Sequence, residues 1–262
     1  MSSDTQYDSL ATAYDLVWKI PAVRPLLPLL TSTIKATGNF ENAAVLDLAC
    51  GTGIGLRIMK SFGASKLVGV DISPQMLEIA KTTVPDITVH TADCSKPLDH
   101  LGLEPGSFDV VLGFWLLNYC PSSVEMAGMW GNISQFLKPG GKFVGIIENH
   151  DVARPSSVQD MKYGGMMSEV KELENGQGWS VHVVFDTTPK IEFDAHRLRG
   201  PILEEEARKA GFGEIKYNRP SWDDIGLVMS EGIGGEDGKK KEWWTELVED
   251  PPNYVIVTTK NG

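Results

Sequence analysis

The 262-residue chain is predicted to fold as an α/β protein built on a parallel sheet with helices on both faces. Three observations carry that reading. Between residues 45 and 142, short β-rich runs alternate with helical patterns. Several of those runs are apolar almost throughout, as strands covered on both sides must be. The first of them runs straight into a glycine-rich turn and then a helix.

Strands are expected at residues 44–48, 66–71, 87–91, 109–113 and 142–148. Ser73-Pro74 offers an N-cap followed by proline at the first helical position, so a helix should run to about residue 83. Ser122 and Glu125 have the spacing of a capping box, opening a helix that Lys138-Pro139-Gly140-Gly141 stops after residue 136. Beyond residue 148 the alternation breaks down. Residues 179–185 and 190–196 read as a hairpin around 186–189, and a helix spans about 201–210 with Gly211 as its C′ residue. Residues 214–218 and 254–259 are the last strand candidates. A single domain is thus expected in four parts: a helical cap (1–40), a ligand-binding core (41–148), a lid or hairpin insertion (149–200), and the rest of the core (201–262) carrying an irregular loop (219–250).

A formal net charge of −11 argues against a surface made to neutralise phosphates, so no nucleic-acid partner is expected. The one basic run, Lys239-Lys240-Lys241, is flanked by Glu236, Asp237 and Glu242 and reads as a solvated loop. The most apolar stretch, residues 108–120, is too short to span a bilayer, so no membrane partner is expected. Cys50, Cys94 and Cys120 are an odd number without Cys-x-x-Cys spacing, which points to neither a disulfide framework nor a zinc site. With no secretory pattern at the first residues, a reducing, cytoplasmic location is expected. Glu204-Glu205-Glu206 falls in the first turn of a predicted helix, where acids complement the dipole, so no metal is expected there.

The sharpest signal is Val45-Leu46-Asp47-Leu48-Ala49-Cys50-Gly51-Thr52-Gly53-Ile54-Gly55. Glycines there let the backbone approach a ligand at the carboxyl end of the first strand. A dinucleotide needs Gly-x-Gly-x-x-Gly, and counting from Gly51 puts Leu56 where the third glycine should stand. A pyrophosphate would also meet Asp47, whereas an ammonium group would be welcomed by it. The methionine part of S-adenosylmethionine carries such an ammonium. Asp71 ends the second strand 18 residues after Gly53, where an acid can accept from both ribose hydroxyls; alone it could equally be a helix-entry residue. Asp93, after the third strand, can accept from an adenine amino group; alone it would more often be a turn residue, and its order after the other two motifs is what raises it.

In order, residues 47–53, 68–76, 92–93, 108–111 and 137–141 resemble the class I S-adenosylmethionine-dependent methyltransferases. The resemblance implies a seven-stranded Rossmann-like sheet with its last strand antiparallel, and S-adenosyl-L-methionine as cofactor. It implies that Asp47, Ala49 and Gly51 line the methionine part and that Asp71 and Ile72 hold the ribose. Met76 would cover the adenine, with core filling as the competing role, and Asp93 and Cys94 would meet its edge. Phe114 would lie beside the sulfonium, Tyr7 and Tyr14 would close the cofactor from above, and Arg24 would meet its carboxylate. A narrower resemblance, in Tyr7-Asp8, Tyr14-Asp15, Lys162-Tyr163-Gly164, Ala210-Gly211-Phe212 and Glu242-Trp243-Trp244, points to the toxoflavin N-methyltransferase-like group acting on small natural products.

The implied reaction moves a methyl group to nitrogen or oxygen of a small aromatic or heteroaromatic secondary metabolite, chiefly by positioning. The alternative is a protein of this fold that binds the cofactor without methylating. Trp115, Asn118 and Tyr119, after the fourth strand, are the expected acceptor contacts. His150, directly after a sheet strand, is the expected base, against the competing role of a surface histidine. Tyr163 is expected to point down from the lid, against that of a packed aromatic. Asp250-Pro251-Pro252-Asn253 resembles the Asp-Pro-Pro-aromatic motif of nucleic-acid amino methyltransferases but precedes the last strand, so it reads as a loop.

Overall fold

The computed structural model describes residues 5–151 and 153–262; Met1 to Asp4 of the expected cap and Val152 of the expected lid lie outside the described residues. A 3-10 helix, Tyr14–Lys19, precedes α1 (Leu26–Thr37). The alternating core follows: β1 (Ala44–Leu48), α2 (Ile54–Ser61), β2 (Lys66–Asp71), α3 (Pro74–Thr83), β3 (Thr88–Thr91), β4 (Phe108–Phe114), α4 (Ser123–Phe136) and β5 (Leu137–Glu148). Then come β6 (Gly165–Glu172), β7 (Gly178–Phe185), β8 (Ile191–Leu198), α5 (Gly200–Lys209), β9 (Lys216–Asn218), α6 (Trp222–Ser230), α7 (Thr245–Glu249) and β10 (Asn253–Thr259).

Seven strands form one sheet in the order β3-β2-β1-β4-β5-β10-β9, with β10 antiparallel to both its neighbours. The strand order reverses at β1 and β4, and at such a switch point the loops beyond the carboxyl ends part to leave a crevice. Successive residues serve opposite faces. Val110, Leu112, Val255 and Val257 pack with α1 and the amino-terminal Trp18. Val111, Tyr254 and Ile256 pack with Trp130 of α4 and Leu203 of α5. That two-sided burial explains the apolar runs.

Ser73 caps α3 through its hydroxyl, which accepts from Met76 N at 3.2 Å, as expected. Ser122 does not form the expected capping box: its hydroxyl donates to the Glu125 side chain and caps no helix N–H, while Ser123 N at the head of α4 donates to Gln177 Oε1 at 2.8 Å. Gly211, at φ +89°, follows α5 as the expected C′ residue. Two further expectations need correction. The insertion is a three-stranded antiparallel sheet, β6-β7-β8, because β6 joins the hairpin, its half-polar sequence having hidden it. The loop at 219–250 contains α6 and α7, and Ser221 with Asp224 forms a full capping box at the head of α6.

Candidate functional site

At the end of β1 the backbone turns through three positive φ angles, at Ala49 (+60°), Gly51 (+52°) and Gly53 (+89°), before entering α2. Glycine adopts that region without penalty, which is why two of the three are glycine. The turn is tied to the next strand: Cys50 N donates to Val70 O at 3.0 Å, and Gly51 N donates to Asp71 Oδ2 at 2.8 Å. Ser73 N donates to Asp71 Oδ1 at 2.9 Å. Both Asp71 oxygens are thereby aimed by main-chain groups. Burial raises its pKa, and the main-chain N–H groups of Ser73, Gly51 and Ile72 oppose that.

Asp47 stands on β1, 1% exposed, and its Oδ1 has no hydrogen-bond partner. Burial, reinforced by the nearby Asp71 charge, pushes its pKa up to about 8. A buried carboxylate in this state is a site for a cation. Both acids line a cavity of about 270 Å³ at the carboxyl ends of the strands. Ala49, Gly51, Ile72, Met76, Asp93, Cys94 and Phe114 line it as well.

The amino-terminal segment forms part of this cavity's wall as a strap. Tyr7 and Tyr14 are in its lining, 6.1 Å apart edge to face, and burial raises the pKa of both. The Tyr7 hydroxyl donates to that of Tyr119. Ser73 Oγ donates to Asp8 Oδ1 at 2.6 Å, and Thr52 donates to Asp15. The Gln6 side chain pairs with the main chain of Asp194 on β8, so the strap joins the core to the small sheet.

A second chamber of about 40 Å³ adjoins the first and shares Tyr14, Trp115 and Tyr119 with it. Trp115 holds a φ of +57°, a costly conformation for a bulky side chain at roughly 1–3 kcal/mol. Its indole Nε1 donates to Asn253 Oδ1 at 2.8 Å and its ring lies 5.2 Å from Trp18. Asn118, Glu148, Phe193 and Asn253 line this chamber. Glu148 faces Arg197 of β8 at 3.0 Å and accepts from the Asn118 side chain. Burial nonetheless lifts the Glu148 pKa to about 7.

Three expected site residues are turned elsewhere. Arg24 forms a two-point ion pair with Glu231, at 2.6 and 2.7 Å, and does not line the cavity. His150 packs against Tyr217 and Tyr254, at ring distances of 5.3 and 6.2 Å. Its ring lies so close to Gly200 that a Cβ there would sit 2.3 Å away, and it lines neither chamber. Burial lowers its pKa. Tyr163 is fully buried among Trp243 and Trp244, with its hydroxyl donating to Trp243 O, so it is a packed aromatic. The acids of α5 are also accounted for: Glu205 and Glu206 pair with Lys209, and Glu204 accepts from Tyr217.

Sequence reading passed over Thr52, Trp18, Gln6 and Met129 in the first chamber, and Glu148 and Asn253 in the second. Glu148 carried a signal, being an acid at the end of an apolar strand. Asn253, expected in the Pro-Pro loop, is instead the first residue of β10, opposite Glu148, and the prolines before it are anchored by Asn149 N donating to Pro252 O at 2.8 Å.

The lining fits S-adenosylmethionine. The partnerless Asp47 oxygen suits its ammonium, Asp71 its ribose hydroxyls, and the Asp93–Cys94 segment the adenine edge. Among the described residues no Lys, Arg or His lines either chamber, so the carboxylate partner expected of Arg24 is not supplied by it.

Residues 45–141 match a family described as a methyltransferase domain. An uncharacterized protein of Methanocaldococcus jannaschii is 30% identical over 219 residues, covering 80% of this chain and 76% of that protein. The sterol 4-C-methyltransferase strm-1 of Caenorhabditis elegans is 28% identical over 187 residues, covering 68% of this chain and 50% of that enzyme. The chain spans about half the length of the first curated relatives it matches. The fold is shared with CalS10, an amino pentose methyltransferase from Micromonospora echinaspora solved with S-adenosylmethionine bound, at a TM-score of 0.57 and 19% identity over 100% of each chain. The glycine turn and the acids Asp47, Asp71 and Asp93 all fall within the matched stretch, so residues 45–141 belong to a methyltransferase domain.

Proposed function

We propose that the protein transfers a methyl group from S-adenosylmethionine to nitrogen or oxygen of a small, aromatic or heteroaromatic molecule. The observation that carries this is the buried, partnerless Asp47 oxygen in a cavity that shares Tyr14, Trp115 and Tyr119 with an aromatic second chamber. The bound sulfonium supplies an activated methyl group, so the protein's part is placement and exclusion of water. Asp47 holds the ammonium and Asp71 accepts from the ribose. The Tyr7–Tyr14 strap shuts out solvent. Trp115 and Tyr119, common to both chambers, orient the acceptor against Phe114. Enclosure by the strap and the net charge of −11 favour a small metabolite over a nucleic acid.

Calorimetry with S-adenosylhomocysteine against NAD tests the cofactor, and mass spectrometry after incubation with heteroaromatic, phenolic and amine metabolites tests the acceptor. Binding of the first and not the second is expected. A folded protein that ignores S-adenosylhomocysteine would end the proposal, as would stronger methylation of tRNA, DNA or peptide than of every metabolite tried.

A further inference from the structure

Resting on that reading, the charge of the two chambers narrows the acceptor. Their titratable lining is acidic or phenolic: Asp47, Asp71 and Asp93 in the first chamber, Glu148 in the second, with tyrosines and cysteines between. No Lys, Arg or His lines either among the described residues. An acceptor bearing a carboxylate or phosphate would enter with its charge uncompensated, which is costly away from water. Asp47 and Asp71 are taken up by the cofactor. Glu148 is left, on the chamber that the cofactor residues Asp47, Asp71 and Asp93 do not line.

The rest of that chamber is aromatic. Tyr14, Trp115, Tyr119 and Phe193 surround it, and ring faces attract a cation held among them. The two Glu148 partners, Arg197 and Asn118, fix the carboxylate from the protein side. Trp115 is fixed in turn by Asn253. A carboxylate held by Arg197 and Asn118 on the wall of a chamber that is otherwise aromatic suits an amine.

We propose that the methyl acceptor is an arylalkyl amine and that Glu148 binds its nitrogen and receives its proton. The ammonium surrenders a proton to the Glu148 carboxylate. The freed lone pair forms the N–CH3 bond while the S–CH3 bonding pair returns to sulfur. The products are an N-methylammonium ion and S-adenosylhomocysteine, and Glu148 later releases its proton to water. Arg197 and Asn118 are positioning residues in this scheme.

Three probes of one shape test it: phenethylamine, 2-phenylethanol and phenylacetate, titrated calorimetrically into the protein saturated with S-adenosylhomocysteine near pH 8. Phenethylamine should bind about tenfold more tightly than 2-phenylethanol, as a charge-assisted hydrogen bond provides, and phenylacetate most weakly. E148Q should lose about tenfold for the amine and leave 2-phenylethanol and S-adenosylhomocysteine unchanged. Equal or better binding of the alcohol or the acid by the unaltered protein would overturn the proposal, as would no amine binding, and neither depends on the variant folding. Retained amine affinity in a folded E148Q would overturn it too. Failure of the underlying methyltransferase reading is separate, since it shows as no binding of S-adenosylhomocysteine at the outset.

Discussion

Asp47 and Asp71 end up on one cavity because β1 and β2 run parallel with Asp47 opposite Gly69, two residues before Asp71. The two carboxylates repel, and that repulsion adds to burial in raising Asp47. Asp71 is steadied by Gly51 N and Ser73 N, whereas Asp47 Oδ1 has no partner. One acid is held in place and the other is poised for a cation.

The raised pKa of Asp47 makes ligand-free stability depend on pH. A folded-state pKa near 8 against an ordinary 3.8 means that folding favours the protonated form. Its contribution is complete below about pH 4 and is lost as the pH rises through about 8. Asp47→Asn should therefore raise the ligand-free melting temperature near pH 8 by about 3 °C or more, equivalent to about 1 kcal/mol, and change it little near pH 4. The same substitution should weaken S-adenosylhomocysteine. Differential scanning calorimetry at both pH values reads the first effect; a ligand-free variant less stable than the parent near pH 8 would refute it.

The strap should tighten when the cofactor site fills. Tyr7 and Tyr14 line the cavity, Asp15 accepts from Thr52 on its wall, and Asp8 accepts from Ser73, the residue that also donates to Asp71. Amide exchange over residues 5–25 should slow on binding S-adenosylhomocysteine, by the logic that local opening must now break ligand contacts as well. Asp8→Ala, which removes the bond from Ser73, should speed exchange there and weaken ligand binding by about 0.5–1.5 kcal/mol. Unchanged exchange would make the segment static packing.

Trp115 should matter to the acceptor more than to the cofactor. Its ring lies on the wall common to both chambers and is oriented by Asn253. Trp115→Ala should cut turnover of a true acceptor by about tenfold or more, with a smaller change in S-adenosylhomocysteine affinity. A parallel loss in both would show that the ring supports the whole cavity rather than the acceptor.

His150 and Tyr163 should behave as structural residues. His150→Ala empties a space among Gly200, Tyr217 and Tyr254 and should cost about 1–3 kcal/mol of stability. Tyr163→Phe removes one hydrogen bond, to Trp243 O, and should cost about 1–2 kcal/mol. Cofactor affinity and the pH profile of turnover should be unaffected in both. Loss of an ionisation from the pH profile in the histidine variant would restore it as a base.

The sequence by itself determined the five core strands, the turn at Gly51–Gly53 and the positions of Asp47, Asp71 and Asp93, because each is written in contiguous residues. Alternation, an N-cap and positive φ are local requirements, met by neighbours along the chain. Tertiary structure decided which side chains converge. Trp115 meets Asn253 across 138 residues, and Glu148 meets Arg197 only because β8 of the inserted sheet lies beside the end of β5. Arg24 and His150 carry the right chemistry near the right strands, yet Glu231 claims one and the Gly200–Tyr217–Tyr254 niche encloses the other. Charge and ring type can be read in sequence, but where a long side chain points is set by the partner it pairs or packs with, and that partner comes from elsewhere in the chain.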